Sequence, residues 1–244
     1  MMFTSIGITD CTQHFVYCYR RLLFPFQVLN SNNDPANIGR LFVDAVNVFG
    51  APRLLRSDCG SENGVAAGMM AYIHQCSSSH MYGKSTSNQR IEALWSKLRS
   101  TVIPWMEFLH SLIIDNILKP AYPMHMELSR YCFGDLLQKT LDEFMEFTNN
   151  HHIRNSSECP AGKPNVLYLC QPTYGVVIPQ AMQIELERKC TSSYSLVEPT
   201  MKGYFDYVRS TVGLELPTTK AQAKDLFVAI AGCAEPSKIG DGHQ

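Results

Sequence analysis

An α/β core is the fold class this sequence predicts, and three stretches predict it. Residues 20–28, from Arg20-Arg21-Leu22-Leu23 to Val28, are rich in strand formers. Residues 34–49 carry an apolar stripe at helical spacing, and the run Arg53-Leu54-Leu55-Arg56 leads straight into Asp58. Strand, helix and strand in that order make a parallel crossover, because parallel neighbours need a long connection and a helix supplies one.

The bulk composition narrows the class further. A chain of 244 residues can bury one substantial core, with or without a small appendage. Its 45% hydrophobic and 18% charged residues are those of an ordinary globular protein and exclude a disordered one. A net charge of −1 gives no global attraction to nucleic acid, so any basic surface must be local. The nine cysteines are odd in number, scattered from Cys11 to Cys233, and form no Cys-x-x-Cys pair, which points to a reducing compartment. Met1 to Ile6 holds no basic residue before an apolar block, so no signal peptide is expected. No segment approaches the roughly 18 apolar residues of a membrane span. The expectation is an intracellular protein, nuclear rather than cytoplasmic, with no membrane partner.

Ile6–Ile8 and Phe15–Tyr19 are short strand candidates on either side of a polar stretch holding Asp10. Pro25 makes the strand over 20–28 an edge or a bulged one. Asp34-Pro35 is an N-cap followed by proline at the first helical position. Ile38, Leu41, Phe42, Ala45, Val46 and Phe49 form the buried face of that helix, and Gly50 with Pro52 stops it. A helix is expected over 63–75 through Val65, Met69 and Ile73, with Met69 and Met70 in the core, then a Ser/Gly-rich loop over 76–87. Ser87 or Asn88 caps a helix running to about Ser100, with Ile91, Leu94, Trp95 and Leu98 on one face. Pro104, Pro120 and Pro123 are expected to interrupt the chain beyond it, before a long helix over 126–148. Residues 151–171 read as an extended, turning segment, and helices are expected over 204–212 and 220–231 before a frayed tail. This divides the chain into a core over 1–171 and a helical C-terminal extension over 172–244.

Two acids carry the chemistry. Asp58 closes a strand and Glu92 lies on a helix, and α/β folds gather such residues at the carboxyl ends of their strands. Carboxylates placed there can share Mg²⁺ or Mn²⁺, which activates a water or 3′-hydroxyl and stabilises the leaving oxygen in phosphodiester chemistry. Against this stands the plainer reading, in which Asp58 is a turn residue and Glu92 is solvated.

The local pattern favours the first reading. Ser57-Asp58-Cys59-Gly60-Ser61-Glu62-Asn63, followed by Ser87-Asn88-Gln89-Arg90-Ile91-Glu92-Ala93-Leu94-Trp95, resembles the catalytic core of DDE integrases. That group includes retroviral and retrotransposon integrases and related transposases. Asp58 and Glu92 are 34 positions apart, close to the spacing behind the family's D-D-35-E signature. The chain also looks like transposon-derived integrase-core proteins of animal genomes. Its 149–168 segment, with His152-Ile153-Arg154 and Pro160-Ala161-Gly162-Lys163-Pro164, is similar to the one that closes those domains. The likeness covers roughly 15–170 and is most specific over 40–100.

What the resemblance implies is a ribonuclease H-like fold, a mixed sheet flanked by helices, and metal-dependent strand transfer or nicking of DNA. Asp58 takes the place of the second acid and Glu92 that of the third. At the first acid the chain departs from the family. The family pattern there is like Asp-x-x-Ser-Arg, and counting back from Arg20-Arg21 lands on Val16, which cannot ligate a metal. Asp10 is the nearest upstream acid and the alternative third ligand. The expectation is an altered or truncated first strand and an incomplete site, with a catalytically dead, protein-binding domain as the alternative function. An unrelated metal nuclease has only the two acids in its favour.

Surface charge supplies a partner reading. Four basic residues, Lys84, Arg90, Lys97 and Arg99, stand against the single acid Glu92 between positions 84 and 99. Ser96 and Arg99 come four and seven residues after Glu92, hence on the same helical face. Lys84, Asn88, Arg90, Ser96 and Arg99 are therefore the candidate nucleic-acid contacts, with phosphate the group they would meet. Residues 107–146 are the opposite, with seven acids against three bases, and are the candidate protein-binding face. Homo-oligomerisation is a further expectation. Cys11, His14 and Cys18, or His151, His152 and Cys159, lack the four-ligand spacing of structural zinc. Cys59 has no neighbouring histidine to activate it as a nucleophile.

Overall fold

The computed structural model describes residues 22–23, 26–29, 34–57, 60, 63–82, 89–155, 160–170, 176–190 and 195–234; at positions 56 and 89–92 it describes the backbone alone. The strand candidates before residue 20, with Asp10 and Val16, lie outside these residues.

Helix α1 spans Pro35–Phe49 with the expected ends: the Asp34 carboxylate accepts from the Ala36 N–H at 2.9 Å, Pro35 opens the helix, and Gly50 closes it at φ +79°. A cap of this kind contributes about 1 kcal/mol. Ile38, Leu41, Phe42 and Val46 of the predicted stripe are buried; Ala45 and Phe49 are half-buried, and Val43, outside the stripe, is buried as well. Strand β1 covers Leu55–Ser57, α2 covers Gly64–His74, and a 3₁₀ turn at Ser77–Ser79 leads into β2, His80–Tyr82. Met70 is fully buried in the α2 core position expected of it.

β1 and β2 run parallel, with Leu55 opposite His80, Arg56 opposite Met81 and Ser57 opposite Tyr82. This corrects two expectations. Part of the 76–87 loop is a strand, and the crossover among the described residues is β1–α2–β2, with α2 as the connection. Further strands of a mixed sheet are not among the described residues.

Leu23, Phe26 and Val28 bond through their backbones to side chains of a later helix. Asn149 accepts from the Leu23 N–H at 2.8 Å and donates to the Leu23 carbonyl at 2.9 Å. Gln138 accepts from the Val28 N–H at 2.8 Å and donates to the Phe26 carbonyl at 2.7 Å. Both amides stand on α4, Pro123–Asn150. Leu23 pairs with Asn149 and Val28 with the earlier Gln138, so the two contacts run antiparallel to the helix.

Helix α3 spans Gln89–Ile114 and passes through Pro104, well beyond the end expected near Ser100. Proline removes one helical hydrogen bond, but Trp105, Leu109 and Leu112 beyond it are buried, and their packing carries the helix on. The Lys220 ammonium also donates to the Pro104 carbonyl at 3.1 Å and lies 4.3 Å from the Trp105 ring centroid. Pro123 opens α4 at the first helical position instead of breaking a helix. Within 151–171, Ile153 bridges Gly162 and a short α5 forms over Pro164–Leu169. Then come α6 (Gln180–Lys189), α7 (Pro199–Thr211, five residues longer at its start than expected) and α8 (Lys220–Ala234).

The core has two parts. Helices α3, α4, α7 and α8, with Leu23, Phe26 and Val28, share one cluster built on Phe26, Phe133, Phe205 and Phe227. A smaller one joins α1, β1 and α2 through Phe42, Val46, Leu55, Ala66 and Met70, and Leu186 of α6 packs on Val43. The 172–244 segment contributes to both.

Candidate functional site

Because β1 and β2 are parallel, their carboxyl ends, Ser57 and Tyr82, lie on the same edge. Asp58 is joined to Ser57 by one peptide, and six residues separate Tyr82 from the start of α3. Asp58 itself lies outside the described residues, as do Asp10, Lys84 and Asn88. Arg90 and Glu92 occupy the first turn of α3, where only the backbone is described.

Downstream of Glu92 the helix is well defined. Ser96 and Arg99 are exposed, and so is Ile103, which continues the same face. Leu98 is buried, and Leu94 and Trp95 pack against the helical core, so α3 turns one side inward and leaves the side in register with position 92 to solvent. Lys97 is exposed one step around from it. This is an accessible surface bearing two cations, with Ser96 as a neutral donor.

Beside the strand ends the structure shows a contact that the sequence does not reveal. The Ser57 hydroxyl and His80 Nε2 are 3.0 Å apart, and the Tyr82 ring packs edge-on against His80 at 4.5 Å. Burial lowers the His80 pKa below the usual imidazole range. Ser57 and His80 are 23 residues apart, and no motif links them. The only signal is the β-compatible triplet His80-Met81-Tyr82 within a stretch that reads as a loop.

The acidic surface is mostly as expected: Glu107, Asp115, Asp135, Asp142, Glu143 and Glu146 are exposed. Glu127 is not part of a free face. It pairs with Arg130 and accepts from the Glu198 N–H at 3.1 Å, tying α4 to the start of α7. His151 and His152 are exposed, while Cys159 and the Cys11–Cys18 group lie outside the described residues. Among the described residues no group of three or more His, Cys, Asp or Glu side chains is placed to hold a metal, and no helix is long and apolar enough to cross a membrane.

In α/β proteins, sites gather at the carboxyl ends of parallel strands, and in sequence Asp58 follows that end of β1 directly. The integrase core domain family model matches residues 11–169, a span that takes in β1, β2, α3 and α4, and the chain belongs to that family. Membership carries a ribonuclease H-like fold. Comparisons with curated proteins and with solved structures give no match.

Proposed function

We propose that this is a transposon-derived integrase-core protein of the nucleus that binds DNA along the exposed side of α3. Its β1–β2 pair is part of a mixed ribonuclease H-like sheet whose first strand is altered. The observation that carries the reading is the integrase-core match over 11–169 together with a parallel strand that ends one residue before Asp58. The exposed Lys97, Arg99 and Ser96 support phosphate contact, with Lys84, Asn88 and Arg90 completing the basic stretch.

Asp58 and Glu92 are hard oxygen donors of the type that Mg²⁺ and Mn²⁺ take, so this donor set fits such an ion. When bound, the metal polarises a phosphodiester and lowers the pKa of a coordinated water. Two carboxylates suffice for one ion and leave a second under-ligated. With Val16 at the family's first acid, DNA binding is the retained activity and strand transfer is strongly reduced. The six exposed acids over 107–146 favour a second reading, in which a catalytically dead domain recruits a basic protein partner or a second copy of itself.

The decisive measurement is binding and nicking of labelled DNA with Mn²⁺, at several salt concentrations. Affinity should fall with salt, and neutralising Lys84, Arg90 and Arg99 together should flatten the slope by about one unit for each phosphate they no longer neutralise. An affinity indifferent to both would leave the protein-binding reading. Any nicking should vanish in Asp58→Asn and Glu92→Gln and rise in Val16→Asp. Nicking that survives both acid substitutions rules the assigned site out.

A further inference from the structure

Helix α3 leaves one stripe uncovered, and that stripe changes sign along its length. Each helical residue advances about 100°, so Ser96, Arg99, Ile103, Glu107, His110 and Ile114 all fall within about 40° of one line down the helix. His110 is half-buried and the other five are exposed. Ile103 is 40% exposed and Ile114 70%, so the stripe presents apolar area together with its charges. The opposite side is taken, with Leu98, Trp105, Leu109 and Leu112 buried in the helical core.

The two charges of the stripe have no use for each other within one chain. Arg99 precedes Ile103 by four residues and Glu107 follows it by four. Eight helical steps separate them by about 12 Å along the axis, too far for an ion pair. Among the described residues, neither forms an ion pair with any other side chain.

A second copy turned end for end about Ile103 meets both needs. Each Arg99 then faces the other copy's Glu107, both about 6 Å from the two-fold axis along the helix. Ile103 packs on its own counterpart at the centre, and Ser96 falls opposite His110. A parallel pair would instead set Arg99 against Arg99 and Glu107 against Glu107. Packed helices lie about 8–10 Å apart, a gap that Arg and Glu side chains span.

We infer that this stripe of α3 is a self-pairing surface, on which two copies of the chain meet antiparallel about Ile103 with an Arg99–Glu107 pair on each side of the axis. One helix against one helix is a small contact, so the dimer is transient and concentration-dependent. Exposed ion pairs add little affinity, but they choose the partner and its direction. Ser96 and Arg99 are also the phosphate contacts proposed above, so pairing and DNA compete for one face. The competition rests on the DNA-binding reading, whereas the pairing does not.

Sedimentation velocity of the full chain over a wide concentration range tests this. The wild type should pass from monomer to dimer, more weakly at high salt. Arg99→Glu alone or Glu107→Arg alone should weaken dimerisation about tenfold or more, because the two-fold axis turns both attractive pairs repulsive at once. The double variant carrying both changes should recover the wild-type constant, and so should an equimolar mixture of the two single variants, in which every pair is again opposite in sign. All these positions are exposed, so folding is not at stake. A wild type that stays monomeric overturns the inference and leaves the face to nucleic acid alone. Dimerisation indifferent to either single reversal, or not recovered in the double variant, overturns it as well. Duplex DNA should dissociate the dimer; a dimer that persists with DNA bound overturns the shared use of Arg99. A chain that dimerises as described and binds no DNA sinks the DNA-binding reading and upholds the pairing.

Discussion

The two parts of this molecule are built differently. The helical part, α3, α4, α7 and α8, buries interlocking aromatics: Phe133 stacks on Phe227 at 6.0 Å and meets Phe108 edge-on at 5.7 Å, and Phe26 meets Phe144 edge-on at 5.9 Å. The part that carries β1 and β2 has a thinner core in which Phe42 is the one buried ring among the described residues, beside Val46, Ala51, Leu55, Ala66 and Met70. The candidate residues are shared between the two: Asp58 follows β1 of the thinner part in sequence, while Glu92, Ser96, Lys97 and Arg99 belong to α3. Long-range ties stiffen the thinner part from outside, with Tyr168 of α5 donating to the Phe49 carbonyl and Asn47 donating to Glu187 of α6 at 2.8 Å. Residues beyond the integrase-core match, among them Phe205, Leu226 and Phe227, supply part of the larger core.

Substitutions that empty one core or the other should expose this division. Phe227→Ala, at a fully buried site in α8, should lower stability by about 3–5 kcal/mol in urea unfolding. Met70→Ala in the thinner core should cost less, about 2–3 kcal/mol, within the range for such truncations. Equal losses would erase the distinction between the two cores. Asn149→Ala tests the seam, because it strips the Leu23 N–H and carbonyl of their amide partner in a buried setting. A loss of about 1–3 kcal/mol is expected there, read in the same unfolding assay.

The smallest effect expected is alkaline. Tyr131 of α4 donates to Asp206 of α7 at 2.7 Å and accepts from Arg209 at 3.0 Å. Burial, with the hydrogen bond to Asp206 second, pushes its pKa up to about 12. Folding therefore favours the neutral phenol. The stability this contributes is complete below about pH 10, where the unfolded tyrosine would begin to ionise, and is lost as pH rises through about 12. Tyr131→Phe should flatten that alkaline decline, measured as unfolding midpoints between about pH 9 and 12; an unchanged decline would remove Tyr131 from the account.

Legibility in the sequence depends on how local each determinant is. Helix α1 is readable at both ends because Asp34, Pro35 and Gly50 act on their own backbone. Helix α3 reads too short because what carries it through Pro104 is tertiary packing, including Lys220 from 116 residues away. Strand β2 has three residues, too few to show alternation, and its partner precedes it by 25 positions. Helix α6 is polar and buries Leu186 alone, so it offers no stripe to read. Asp58 and Glu92 stand out through a motif, whereas the Ser57–His80 pair emerges only when two strands are laid side by side.

The amides of Gln138 and Asn149 ride on a single uninterrupted 28-residue helix, so their separation is fixed once that helix forms. Leu23 and Val28 must then find partners 126 and 110 positions further along the chain. Closing so long a loop before any reward arrives makes this docking a late event. The Leu23 and Val28 amides should therefore be late to gain exchange protection during refolding. A newly synthesised chain waits with that edge undocked until α4 has emerged.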